Sequence, residues 1–413
     1  MPGADPDRNR SVNIPGVDPA APGRRIARPR PVTPLPSRGR LRRFCKSVLR
    51  SILLPIAGAA AAAERRVRRL PAAPDATPWP YPESPRKALI VRLDLLGDCL
   101  LTLPAAAALK RAYPGLHITF LASRGAGELL RLSPAVDEVI ECDLPGLTDI
   151  RALSDPGGWR SGARLLARLR RARFDIAVSA YGPLARAVVS LSLARHRIAD
   201  GRGWPGADRE RRIRPGEHEI DHLLTLVDGA NPDAPQPVLV PAEPTPAGLA
   251  GGAVLCPGTR SGSAKAWPSA SWTRLAMELA RRGLNPLVVG AEGEVELANG
   301  ICANRPQIVN LAGKLSLGQL AAVISQARLV VGVDSMPIHL ASLLGVPTLG
   351  LFGPTDPRRY RPRGDGRALA IGIGCAPCYD QRAPPECPFG DRLCMAWLEP
   401  DRVIAEALEL AGA

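Results

Sequence analysis

One stretch limits what this chain can fold into more than any other: Leu329 to Pro357, LVVGVDSMPIHLASLLGVPTLGLFGPTDP. It reads as a buried strand over Leu329 to Val333, a polar break at Asp334-Ser335, a helix from about Pro337 to Leu344, a Gly turn, and a second apolar strand over Thr348 to Phe352. Short apolar runs separated by a helical period are the pattern of a parallel βαβ unit. In open α/β sheets, ligands gather beyond the carboxyl ends of strands, where helices begin. Asp334, Ser335, His339, Thr355 and Asp356 all fall at or just after such ends. A helix start there offers unpaired backbone N–H groups and a positive dipole end, which suits a phosphate.

The same rhythm runs through most of the chain. From Lys87 it reads as strand (KALIVRL), turn (Asp94 to Asp98), helix (Cys99 to Tyr113), strand (HITFLAS), then Glu138 to Cys142, an Arg-rich helix from about Gly158 to Arg173, and FDIAVSA. The Pro-rich span Asn231 to Gly252 reads as an interdomain linker. Beyond it AVLCPGT, Ser271 to Arg282, LNPLVVG, Glu294 to Asn304, IVNLAG and Leu317 to Ser325 repeat the alternation up to the opening stretch. The expected fold class is therefore α/β, two doubly wound domains facing one another across a cleft. Pro400 to Ala411 is expected as a last helix packing back across the linker.

At 413 residues the chain is long enough for two such domains. Its net charge of +15 invites a nucleic-acid reading, but residues 1–87 carry +12 of it, leaving +3 for the rest. The charge belongs to an extension rather than to the fold, so a nucleic-acid partner is not expected. That extension is rich in Pro, Arg and Gly to about Arg40, a composition that builds no core. Leu41 to Leu70 comes next, apolar in its middle and Arg-rich at its flanks; about twelve apolar residues fall short of the roughly 20 that span a bilayer. It reads either as a helix lying on an anionic membrane surface or as an ill-ordered tail. No secretory leader is recognisable, which gives a cytoplasmic expectation.

Three further loops carry candidate chemistry. In VRLDLLGDCLLTLP, Gly97 and Asp98 close the turn before a helix; Asp98 is either an N-cap or a base that takes a proton from an attacking hydroxyl. No GxGxxG follows that strand, which weakens a dinucleotide reading. CPGTRSGSAKAWP, Cys256 to Pro268, is a small-residue loop that presents N–H groups and hydroxyls to phosphate, with Lys265 as the opposing charge. It lacks the Walker pattern, so ATP hydrolysis is not implied. In GAEGE, Glu294 either accepts from ribose hydroxyls or marks a solvated helix start. Five of the nine cysteines are scattered in apolar contexts. Cys375, Cys378, Cys387 and Cys394 cluster, and four thiols so spaced in a cytoplasmic chain suggest a structural zinc more than disulfides. No His and carboxylate cluster has catalytic-metal spacing.

Taken in order, VRLDLLGD, PGT with KAWP, NLAGKLSLGQLAAVI, VGVDSMPIHLASLLGVPTLGLFGPTDP, and CAPC with ECPFGDRLC resemble glycosyltransferase family nine, the ADP-heptose:lipopolysaccharide heptosyltransferases. The resemblance runs from about Lys87 to the end. It implies a GT-B fold of two Rossmann-like domains: 86–235 for the acceptor, 250–398 for the nucleotide sugar, a terminal helix over 399–413, and the extension 1–85 outside. It implies inverting transfer of heptose from ADP-heptose to a hydroxyl of a lipopolysaccharide core or related lipid-linked glycan, at the inner-membrane surface, with no cofactor required for catalysis. Asp98 would be the general base. Lys265 and Thr259, with the amides around Ser335, Met336, Pro337 and Ile338, would stabilise the leaving diphosphate. Glu294 would bind the ribose, Leu315 would flank the adenine, and Asp334 and His339 would shape the donor pocket. Met336 stands where the family's motif usually has Gly, which keeps another nucleotide sugar, or non-catalytic binding of nucleotide or glycan, open as alternatives.

Overall fold

The computed structural model describes residues 84–142, 156–201, 203–204, 206–227, 239–258, 264–379 and 386–413. The basic extension, with the helix or tail read over Leu41 to Leu70, the first part of the Pro-rich span (231–238) and Thr259 lie outside the described residues. The chain divides into two compact units, parting between Ala242 and Glu243.

The N-terminal unit is a six-stranded parallel sheet. Its strands are β1 (Lys87–Arg92), β2 (His117–Ser123), β3 (Glu138–Cys142), β4 (Ile176–Ser179), β5 (His196–Asp200) and β6 (Arg209–Arg211), in spatial order β3-β2-β1-β4-β5-β6. Its longer helices are α1 (Leu96–Ala112), α2 (Pro156–Ala172), α3 (Gly182–Leu191) and α4 (Glu219–Leu226). β1 is apolar at consecutive positions because it is covered on both faces; Ala88, Leu89, Ile90 and Val91 are fully buried. The strand order reverses between β1 and β4, whose carboxyl ends therefore diverge into the place where ligands bind in this topology. α1 packs along α4, which carries Glu219 to the end of β1.

The C-terminal unit repeats the plan. Its strands are β7 (Ala253–Cys256), β8 (Pro286–Val288), β9 (Val309–Asn310), β10 (Leu329–Val333), β11 (Thr348–Phe352) and β12 (Gly366–Ala370), all parallel, in order β12-β11-β10-β7-β8-β9. Its longer helices are α5 (Ser269–Arg281), α6 (Val295–Cys302), α7 (Leu317–Ser325), α8 (Met336–Leu343) and α9 (Pro400–Ala411). Here the reversal lies between β7 and β10. The core gathers Leu275, Leu279, Val331 and Leu349 around Trp267 and Trp272, whose rings meet edge to face at 5.0 Å. Each such aliphatic side chain, fully buried, contributes roughly 1.5–3 kcal/mol.

Two glycines set the position of α8. Gly332 on β10 and Gly350 on β11 are register partners. A Cβ built at Gly332 would stand 2.7 Å from Ile338 Cγ2, and one at Gly350 would stand 3.3 Å from Ile338 Cδ1. Absence of both methyls lets Ile338, fully buried, settle onto the sheet. The start of α8 is thereby held against the end of β10.

The terminal helix, expected to pack back across the linker, packs within its own unit. α9 buries Val403, Ala407 and Ala411 against α5 and the sheet of its own unit. Arg328 fixes its end, donating from Nε to the carbonyl of Ala411 at 2.8 Å and from Nη2 to Gly412 at 3.1 Å. The physical reason is its apolar stripe, which matches the open flank of the C-terminal core.

Candidate functional site

In the C-terminal unit, Lys265, Asp334 and His339 come together. Lys265 Nζ donates to the Asp334 carboxylate at 2.8 Å and to the Asp334 carbonyl at 3.0 Å. His339 Nε2 lies 3.4 Å from the other carboxylate oxygen. Asp334 is 5% exposed. Burial by itself would raise its pKa, but Lys265 and His339 outweigh that and hold the carboxyl well below the usual carboxylate range. Asp334 is thus a fixed anion that aims a lysine from a loop 69 residues away. The phenol ring of Tyr379 lies 5.1 Å from the same ammonium.

This cluster sits where α8 begins. Ser335 is the N-cap in extended conformation, yet no side chain caps the helix, because its hydroxyl turns back to donate to the Val333 carbonyl at 3.1 Å. The first-turn amides of Met336 and Ile338 are therefore not spent on a side-chain cap, while Pro337 has none to offer. Ser335, Met336 and Pro337 are all half-exposed, so this positive helix end is accessible beside a fixed ammonium. The arrangement can hold and neutralise an anion of diphosphate type.

Glu294 ends a short 3-10 turn, Glu292–Glu294, after β8. Its carboxylate accepts from the amide of Ala291 at 2.8 Å and lies so close to Gly258 that a Cβ there would stand 2.2 Å from the carboxyl carbon. The loop after β7 and the turn after β8 are thus one place, and a side chain at Gly258 would have to displace the Glu294 carboxylate. Burial raises the Glu294 pKa against the opposing Ala291 hydrogen bond. Leu315 is half-exposed in the connection between β9 and α7. Of the residues read at the end of β11, Asp356 is occupied elsewhere: it accepts from the Arg358 amide at 3.0 Å and pairs with its guanidinium at 2.8 Å. Thr355 is 2% exposed, and its hydroxyl has no hydrogen-bond partner among the described residues.

In the N-terminal unit, Asp98 does not act as the N-cap. That position is Leu95, with no side-chain cap, and Asp98 lies inside the first turn of α1, 6% exposed. It stands in a cluster the sequence did not reveal. Arg92, fully buried at the end of β1, donates from Nε to Asp94 at 2.7 Å and from Nη1 to Glu219 at 2.9 Å, while Nη2 lies 3.1 Å from Asp98 Oδ1. The Tyr181 ring, just beyond β4, covers the guanidinium at 5.1 Å. Burial would lower the Arg92 pKa, yet Asp94, Glu219 and Asp98 raise it well above its ordinary value. Glu219 is delivered by α4, whose first turn is set by His218: its Nδ1 accepts from the Ile220 amide at 3.1 Å. An Arg at the end of an otherwise apolar strand was the one available signal, since such a charge is almost never buried unpaired.

The four clustered cysteines are near neighbours. Burial and the sulfurs of Cys378, Cys375 and Cys387 push the Cys394 thiol up to about 12. Among the described residues, however, no three His, Cys, Asp or Glu side chains are arranged to hold a metal ion. The cysteine segment is tied to the β11 end, since the amides of Cys378 and Tyr379 both donate to the Pro354 carbonyl, at 2.9 and 2.8 Å. A groove of about 780 Å³ between α5 and α9, lined by Arg274, Met277, Gln307 and Ile404, contains none of the residues above.

The family model for glycosyltransferase family 9 (heptosyltransferase) matches residues 163–387. The chain is 31% identical over 359 residues to lipopolysaccharide heptosyltransferase 1 of Pseudomonas aeruginosa, covering 79% of this chain and 98% of the relative. Its fold resembles the glycosyl transferase family 9 structure from Veillonella parvula, with a TM-score of 0.63, 20% identity, and 79% and 97% of the two chains covered. It also resembles the E. coli heptosyltransferase WaaC with ADP, with a TM-score of 0.62, 23% identity, and 78% and 99% covered. Two Rossmann-like units of the GT-B class are the fold of these relatives and of this chain. The chain belongs to glycosyltransferase family 9, the heptosyltransferases.

Proposed function

We propose that this protein is an inverting glycosyltransferase that moves heptose from ADP-heptose to a hydroxyl of a lipopolysaccharide core or related lipid-linked glycan. The observation that carries the reading is Lys265 fixed by Asp334 and His339 at the uncapped start of α8. A leaving diphosphate held there has its developing charge met by one ammonium and backbone amides, so no metal ion is required for the step. Asp98 takes the proton from the acceptor hydroxyl. The freed oxygen attacks the anomeric carbon on the face opposite the phosphate, the carbon–oxygen bond to ADP breaks, and ADP departs with the electron pair. Glu294 accepts from the ribose hydroxyls, Leu315 flanks the adenine, and Thr259 assists Lys265 on the phosphates. A structural zinc on Cys375, Cys378, Cys387 and Cys394 belongs to the same reading. Its support is donor chemistry and proximity alone, and one zinc per chain by elemental analysis supports it while none overturns it.

The protein is proposed to work on the cytoplasmic face of the inner membrane as a peripheral protein. Among the described residues no helix is long and apolar enough to cross a membrane. Fractionation of cells into membrane and soluble pools checks this. The principal test is mass spectrometry of products from purified protein, a panel of nucleotide sugars and acceptor extracts, with Asp98→Ala in parallel. Heptose transfer from ADP-heptose that disappears in the variant supports the proposal; unchanged turnover in the variant removes Asp98 from the chemistry. A second reading, a different nucleotide sugar, is favoured by Met336 at the anion-binding helix start, and the same panel decides it.

A further inference from the structure

Around the single guanidinium of Arg92 stand three carboxylates, and the guanidinium does not hold them equally. Asp94 and Glu219 receive aligned hydrogen bonds on Nε and Nη1. The contact of Nη2 with Asp98 at 3.1 Å is an ion pair without hydrogen-bond alignment. Asp94 comes from the turn after β1, Glu219 from the first turn of α4, and the Tyr181 ring covers the planar face. Arg92 is thus anchored on two edges and a face, and presents its third edge as a fixed charge to the first turn of α1.

This geometry answers a difficulty for any Asp serving as a base. A carboxylate clamped by an arginine is well oriented but a poor proton acceptor, because the paired cation favours its ionised form. Here the guanidinium is shared with two further anions in a buried setting, where charges act strongly on one another. The Cys99 thiol, which donates to the Arg92 carbonyl at 3.7 Å, is kept protonated by burial together with Asp94 and Asp98, so it adds no charge to this balance.

We propose that Arg92 is the positioning residue of Asp98, and that Asp94 and Glu219 restrain its guanidinium so that it orients Asp98 while leaving it basic. The proposal rests on the reading of Asp98 as general base. Arg92→Met removes orientation and cation together: kcat falls on the order of tenfold to a hundredfold, KM for the nucleotide sugar stays put, and the acid limb of the kcat/KM profile moves to higher pH. Arg92→Lys retains the charge and recovers part of kcat with the acid limb near its original position. Glu219→Gln deletes one anion, so the acid limb moves to lower pH while kcat falls.

The measurements are pH profiles of kcat and kcat/KM for these three variants and for Asp98→Asn, each checked for folding by thermal melting. Loss of turnover in Asp98→Asn, with limb shifts of opposite sign in Arg92→Met and Glu219→Gln, supports the proposal. Loss of turnover in Asp98→Asn with unmoved limbs and unchanged kcat in the others overturns it and leaves the base intact. Full turnover in Asp98→Asn overturns the base reading and the proposal with it. If Arg92→Met fails to fold, Arg92→Lys and Glu219→Gln decide alone: reduced kcat in both, with a limb shift only in Glu219→Gln, supports the proposal, and wild-type profiles in both overturn it.

Discussion

Lys265 grips Asp334 by both ends of the residue, its ammonium donating to the carboxylate at 2.8 Å and to the main-chain carbonyl at 3.0 Å. The two bonds tie the loop after β7 to the end of β10, the strands between which the sheet order reverses. The same ammonium is therefore a structural tie and the charge that faces the start of α8.

Lys265→Ala is expected to lower kcat by about 10²–10³, the range for removing a preorganised charge or donor at a developing anion. Lys265 is partly exposed, so its removal destabilises by no more than the roughly 3 kcal/mol at the low end for fully buried pairs. Steady-state kinetics beside denaturant melts separate the two effects. A variant that melts early yet turns over normally would show the tie without the chemistry.

Acid sensitivity arises from Asp334. Its folded pKa lies below the ordinary value, so its contribution to stability is full above the unfolded pKa of about 3.9 and drains away as pH falls toward the folded value. Denaturant midpoints are expected to fall between about pH 5 and pH 3, and Asp334→Asn should fall less steeply over that window. Parallel slopes for the two proteins would contradict the pairing.

Glu294 has the opposite sign. Burial holds its folded pKa above the ordinary value, so folding favours the protonated form and stability is lost as pH rises through that range. Glu294→Gln is therefore expected to raise the melting temperature at neutral pH while weakening binding of ADP-heptose by about tenfold, the effect of roughly 1.4 kcal/mol. Calorimetric titration and thermal melts on one preparation check both. A stabilised variant with unaltered affinity would take Glu294 out of the donor site.

Gly332→Ala is expected to destabilise by about 1–3 kcal/mol through overpacking, since the new methyl meets Ile338 Cγ2 at 2.7 Å and Cys256 Cβ at 3.0 Å. Combining it with Ile338→Ala relieves the first contact, so the double variant should be less destabilised than the two single effects added. Strict additivity in a double-mutant cycle would place the strain elsewhere.

Elements with a single apolar period were legible in the sequence nearly to the residue. The strands Leu329–Val333 and Thr348–Phe352 and the helices Leu317–Ser325 and Pro400–Ala411 all have the bounds read from pattern. β5 and β6 were not legible: HRIAD and RER carry too many polar residues to read as strands, yet Arg197 is 1% exposed. Their place in the sheet comes from backbone pairing of β5 to β4 and of β6 to β5, and from Asp208, which accepts from the Arg197 amide at 2.6 Å. Such support leaves no periodicity to read. The candidate residues along the opening stretch were visible because helix starts and strand ends have local signals. The contact of Arg92 with Glu219 spans 127 residues and obeys no spacing rule, so only the folded chain displays it.

The carbonyl of Pro354 receives two successive amides, from Cys378 and Tyr379, and Tyr379 in turn covers Lys265. One main-chain oxygen at the end of β11 thus carries both the cysteine segment and the ring over the ammonium, so any change that moves that oxygen moves the cysteines and the cation's cover together.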